Sequence, residues 1–239
     1  MRPALFLFAL LMPLAMLMGC RPQGEWHQLE GVVLGTGYHI TLNGDLDEGD
    51  VALVEAAILG ELASLDSHMQ VLDGLLEASH LPCLAEPPSG MTNALVRGQL
   101  HALAVDRLFG VFDAFGIANA MVELGGVQRA SGTNGRHPWR VRLPRSGPDG
   151  TPEPVLRLQD AALVTRSAPK LERIVAPGTA RSLAVSAVAP SAEQADHLAR
   201  RLITDAPAAT LEHPARIVVL TPEGLEFHIG SALEPLLEY

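Results

Sequence analysis

Hydrophobic positions along the chain follow two different periods, and the changes between them mark its elements. Residues 47–69, DEGDVALVEAAILGELASLDSHM, set Val51, Val54, Ile58, Leu62 and Leu65 at helical spacing, the apolar stripe of an amphipathic helix. Residues 92–116, TNALVRGQLHALAVDRLFGVFDAFG, predict a second helix ending near Gly116. A third is predicted from 191 to about 204, with Ser191 as N-cap and Gln194 at capping-box spacing. Elsewhere the period falls to two. GVVLGTGYHITL (31–42) alternates through Tyr38, Ile40 and Leu42 after a Gly-Thr-Gly interruption. Residues 119–132 read as a strand, a Gly-Gly turn and a continuation. WRVRL (139–143) alternates, 155–167 holds one or two short strands, and SLAVSAVAP (182–190) is a buried strand. Residues 215–230 form a hairpin around Pro222-Glu223-Gly224. Pro82, Pro87, Pro88 and Gly90 make 80–92 a loop. Helices set among antiparallel-type strands predict an α+β fold, a mixed or antiparallel sheet with packed helices.

The N-terminus stands apart from this pattern. Residues 1–20, MRPALFLFALLMPLAMLMGC, carry Arg2, an almost unbroken apolar run and Leu17-Met18-Gly19-Cys20. The run has the length of a signal-peptide core and is short for a membrane span. Its end resembles a bacterial lipobox, in which Cys20 is lipidated and becomes the mature N-terminus. A simple secretory signal or an anchor helix are the alternatives. Each expectation puts the rest of the chain outside the cytoplasm, on the periplasmic side of a bacterial membrane. The polar residues 21–30 then read as a tether, and 31–239 as a single domain. With Cys20 lipidated, Cys83 has no cysteine left to pair with, and a lone thiol in a turn-rich stretch reads as incidental.

Composition narrows the functional classes. At 48% hydrophobic and 18% charged residues the chain has ample material for a core. A formal charge of −10 without Lys/Arg clusters repels a phosphate backbone, which sets nucleic-acid binding aside.

Candidate chemistry sits on the third helix. Asp196 and Arg200 are four residues apart and share a face. Asp196 either holds a metal ion or pairs with Arg200. Gly125-Gly126 either lets the backbone approach a ligand or simply makes a tight turn. His101, on an otherwise apolar helix, is a weak cation or donor at a site, or a packed side chain. Trp139 reads as core rather than as a stacking ring, and Asp106 and Arg107 as structural.

Several of these stretches occur in a familiar order. LGTGYHITL, LHALAVDRL (100–108), GIANAMVELGGVQRASG (116–132) with Trp139, and VSAVAPSAEQADHLARRL (185–202) together resemble the FAD:protein FMN transferases, periplasmic lipoproteins of the thiamine-biosynthesis type. The resemblance implies transfer of FMN from FAD to a Thr or Ser of a periplasmic respiratory flavoprotein subunit, releasing AMP. It implies FAD and magnesium as ligands, with Asp196 and the backbone at Gly98 toward the metal. It also implies a flavin site near Gly35, Thr36, His101, Gly125, Gly126 and Thr179. The departures are as specific. The family's covering region between the first two helices is reduced to 70–94. Its helix Asp and Lys fall on Leu95 and His101, and its Ser-Gly falls around Thr165-Arg166-Ser167. Its His-Ile-Ile-Asp-Pro falls on 173–177, and its metal-binding Asp/Thr pair is here Asp196 and Arg200. Arg200 cannot ligate a cation, so it is either Asp196's ion-pair partner or a fixed substitute for the metal at a phosphate. A degenerate relative that binds flavin or assists assembly without transfer is the alternative function.

Overall fold

The computed structural model describes residues 24–79, 93–143, 154–168, 181–204 and 212–238. The expected lipobox with Cys20, the expected loop 80–92 with Cys83, residues 173–177 and Thr179 lie outside the described residues.

The elements run β1 (Glu25–Val33), β2 (Thr36–Gly44), α1 (Glu48–Ser79), α2 (Asn93–Ala114), β3 (Asn119–Leu124) and β4 (Val127–Ser131). They continue β5 (Trp139–Arg142), β6 (Val155–Leu158), β7 (Ala161–Ser167), β8 (Arg181–Ala189) and α3 (Ala192–Thr204). The chain then makes β9 (Ala215–Thr221), β10 (Gly224–Ile229), a 3-10 turn (Glu234–Leu236) and β11 (Leu237–Glu238). The larger sheet has the order β1-β2-β3-β4-β7-β8-β9-β10, with antiparallel neighbours. A second sheet, β11-β6-β5, lies apart from it. The fold is α+β, as the alternating periods predict.

Period-two strands give the large sheet two apolar faces. Ile40, Leu42, Val122, Leu124, Val164, Val185 and Ile217 point to one core, which Ile58 and Leu62 of α1, Leu108 and Phe112 of α2, and Leu202 of α3 complete. Ala130, Leu163 and Val188 point the other way. They pack beneath the small sheet with Trp139, Val141, Leu156 and Leu158. Trp139 is therefore core; its indole N–H donates to the Ser131 carbonyl at 3.0 Å.

Three expectations change. From Glu25 on, the expected tether is strand β1, paired along its length with β2. Its polar composition is that of an edge strand, which tolerates water on both faces. The Gly-Thr-Gly interruption is the end of a hairpin: Leu34 (φ 52°) and Gly35 (φ 74°) are both left-handed, the backbone of a two-residue turn. Leu34 accepts that strain while its side chain is only 1% exposed in the core, and its N–H donates to Asp66 Oδ1 at 2.9 Å. Finally, α1 runs past residue 69 to Ser79.

Candidate functional site

Two tight turns lie side by side at one end of the sheet, because β2 pairs with β3 in the register Tyr38–Leu124. One is Leu34-Gly35 and the other Gly125-Gly126, whose φ angles are 57° and 78°. The first half of α2 crosses beside both turns. Its His101 is buried, with Nε2 3.2 Å from the Leu34 carbonyl, and its ring also reaches the Gly125 backbone. A Cβ on Gly125 would lie 2.2 Å from His101 Nδ1, and one on Gly35 would lie 2.8 Å from Arg97 Nη1. The left-handed turn favours glycine at both positions, and at Gly125 the buried His101 ring leaves no room for a side chain. Thr36 opens β2 directly after the first turn.

His101 is not the weak cation that one reading allowed. Burial pulls its pKa below the ordinary 6.5, outweighing the Leu34 hydrogen bond, and the Arg166 charge lowers it further. Burial thus favours the uncharged imidazole, whose ring lies against both turns.

The charge at this end of the sheet comes from arginines. Asp196 projects from α3 and is only 4% exposed. Its Oδ2 accepts from Arg200 Nε at 2.6 Å, and its Oδ1 accepts from Arg166 Nε at 2.7 Å. Arg166 Nη2 donates to the Gly98 carbonyl at 2.8 Å, and Nη1 to the Gly125 carbonyl at 3.3 Å. Arg200 Nη2 donates to the Leu95 carbonyl at 2.9 Å. Gly98 leaves room for this arrangement, since its Cβ would lie 2.9 Å from Arg200 Nη2 and 3.2 Å from Arg166 Cζ. The Asp196–Arg200 pair is therefore a real ion pair but not an exposed one, and it is half of a triad.

Gly35, Gly98, His101, Gly125, Gly126, Asp196 and Arg200 all fall at this end of the fold. Arg166 is the member that sequence reasoning passed over. The alternation Ala162, Val164, Arg166 along β7 puts its guanidinium on the helix-covered face, which was the signal available.

The donor set does not suit magnesium. That ion takes carboxylate and water oxygens in octahedral array, whereas both oxygens of Asp196 are already committed to guanidinium groups. Among the described residues no group of three or more His, Cys, Asp or Glu side chains is placed to hold a metal ion.

A neighbouring carboxylate holds the scaffold. Asp106 of α2 accepts from the backbone N–H of Ala192 at 2.8 Å and of Glu193 at 3.0 Å, capping α3 from another helix. It also pairs with Arg129 at 2.6 Å, whose guanidinium stacks 4.4 Å from the Phe109 ring centre. Ser191 adds the local cap, its Oγ accepting from Gln194 N–H at 3.3 Å. Asp106 thus fixes the start of the helix that carries Asp196.

The ApbE family model matches residues 96–217, which contain α2 from its second turn, the Gly125-Gly126 turn, Arg166, Asp196 and Arg200. Curated proteins gave no match. Among solved structures, the flavin transferase ApbE from Vibrio cholerae is 17% identical with a TM-score of 0.62, over 89% of this chain and 99% of that one. The apo flavinyl transferase ApbE of Pseudomonas stutzeri is 15% identical with a TM-score of 0.65, over 91% and 98%. The ApbE protein of Thermotoga maritima is 16% identical with a TM-score of 0.59, over 90% and 100%. At such identities the likeness is one of fold.

Proposed function

This chain belongs to the ApbE family, and on that premise we propose that it handles FAD as a flavin transferase, at the end of the sheet where Asp196 lies. The observation that carries the reading is the convergence of four elements on one cationic point inside the matched region: α2, the Gly125-Gly126 turn, β7 and α3. The Asp196 triad has one carboxylate against two guanidiniums and so keeps one net positive charge. Phosphate oxygens are the natural anion for such a point. In the proposed reaction a Thr or Ser hydroxyl oxygen of the acceptor bonds to the FMN phosphorus of FAD. The bridging P–O bond to the AMP half breaks, AMP leaves with that electron pair, and the hydroxyl proton passes to solvent. Transfer of this kind depends on positioning and on neutralising the pyrophosphate. The proposed acceptor is a respiratory flavoprotein subunit on the periplasmic side, reached by a domain tethered through lipidated Cys20.

The commitment of both Asp196 oxygens favours a second reading, a flavin-binding or assembly factor without transfer. The test incubates the purified chain with FAD and a candidate acceptor subunit. Flavin fluorescence on the denatured acceptor, matched by AMP release, is the expected outcome for a transferase. FAD bound without either product selects the second reading.

A further inference from the structure

Five oxygens from two helices and a turn surround the two guanidinium groups: Oδ1 and Oδ2 of Asp196 and the carbonyls of Leu95, Gly98 and Gly125. A carboxylate with convergent main-chain carbonyls is the kind of oxygen set that holds a hard cation. Here the positive charge is supplied by side chains. One carboxylate beside two guanidiniums has the same net charge as one carboxylate beside a divalent ion. Each guanidinium carries five N–H groups. The contacts engage three nitrogens of Arg166 and two of Arg200, so each keeps N–H groups without a partner among the described residues. Their side chains remain 16% and 19% exposed, enough to be touched by a ligand.

We infer that Arg166 and Arg200, anchored on Asp196, replace a divalent cation charge for charge, and that the chain engages the pyrophosphate of a flavin nucleotide without metal. The nucleotide part rests on the function proposed above; the replacement itself does not. A divalent ion dissociates and a guanidinium does not, so the site is permanently charged and indifferent to chelators. The planar fork of Arg also fits phosphate oxygens in pairs, which a point charge does not.

The test separates the two parts. The purified full chain is first titrated with magnesium or manganese alone, without FAD, by calorimetry and by manganese spin resonance. No saturable binding is expected up to about 1 mM, and the melting midpoint is the same in EDTA as in magnesium. One ion bound, or a midpoint that falls in EDTA, overturns the replacement. The double variant Arg166→Ser/Arg200→Thr frees both Asp196 oxygens. It is expected to gain one magnesium or manganese ion with affinity at least about tenfold above the parent. A folded double variant with no such gain overturns the claim that the arginines fill a cation site. If that variant does not fold, the parent titration still decides. FAD is then added to the parent and to Arg200→Met. Metal-independent binding weakened about tenfold or more by Arg200→Met supports the nucleotide part. No FAD binding under any condition overturns the nucleotide part and the proposed function, and leaves the metal-alone result standing.

Discussion

Replacing Asp196 by Asn keeps the side chain's shape and removes its charge, so it isolates what the carboxylate contributes. The Asp196 side chain is 5% exposed and lies 2.6 and 2.7 Å from two guanidinium nitrogens. In Asp196→Asn, one guanidinium N–H faces the amide NH2, donor against donor. Both arginines also lose their counter-charge in a poorly hydrated place. Removing one partner of a fully buried pair costs about 3–5 kcal/mol. The arginines keep 16% and 19% exposure, so water recovers part of that cost, and about 2–4 kcal/mol of lost stability is expected. For a domain of this size that corresponds to roughly 5–15 °C in melting midpoint. Urea unfolding followed by far-UV circular dichroism measures it, and an unchanged m-value certifies the comparison. A double-mutant cycle pairs Asp196→Asn with Arg200→Met, and contact between the two sites predicts a coupling of about 1–3 kcal/mol. A loss below about 0.5 kcal/mol, the range of exposed pairs, would refute the description of a buried triad.

Three further outcomes follow from the scaffold. Asp106→Ala removes two backbone caps of α3 and the Arg129 partner, so it is expected to cost about 2–3 kcal/mol by urea unfolding; an effect under about 0.5 kcal/mol would show that the cross-helix cap is not formed. Gly125→Ala forces a side chain onto a left-handed residue and against His101, with an expected loss of about 2–4 kcal/mol; an unchanged melting curve would contradict the close approach. His101 has its pKa lowered by burial, so the unfolded chain takes up its proton first as pH falls. Its contribution is therefore intact above the unfolded value of 6.5 and is lost progressively below it. His101→Gln should flatten that part of the stability–pH curve, and a variant with the parental slope would assign the slope elsewhere.

The fold was legible wherever apolar period alone decides an element. The α2 stripe and the strand–Gly-Gly–strand segment of 119–132 lie where the period puts them, because one face of each is fully buried. Strand β1 was not legible, since an edge strand needs no continuous apolar face and its Glu, His and Gln residues look like a linker. At the site, i,i+4 spacing was enough to find Asp196–Arg200. The second arginine is 30 residues away along the chain, and only the pairing of β7 with its neighbours under α3 brings it in. The Asp106 caps on α3 span 86 and 87 residues and left no local signal either. The effect on engineering is direct. Arg200→Thr alone frees only Oδ2 of Asp196, because Arg166 still holds Oδ1.

The most direct measurement is a calorimetric titration of the purified chain with FAD, run once in magnesium and once in EDTA. The account predicts saturable binding of one FAD with the same affinity in both. Binding that vanishes in EDTA would contradict the arginine substitution. Absence of binding in both would contradict the assignment of FAD to the Asp196 end of the sheet.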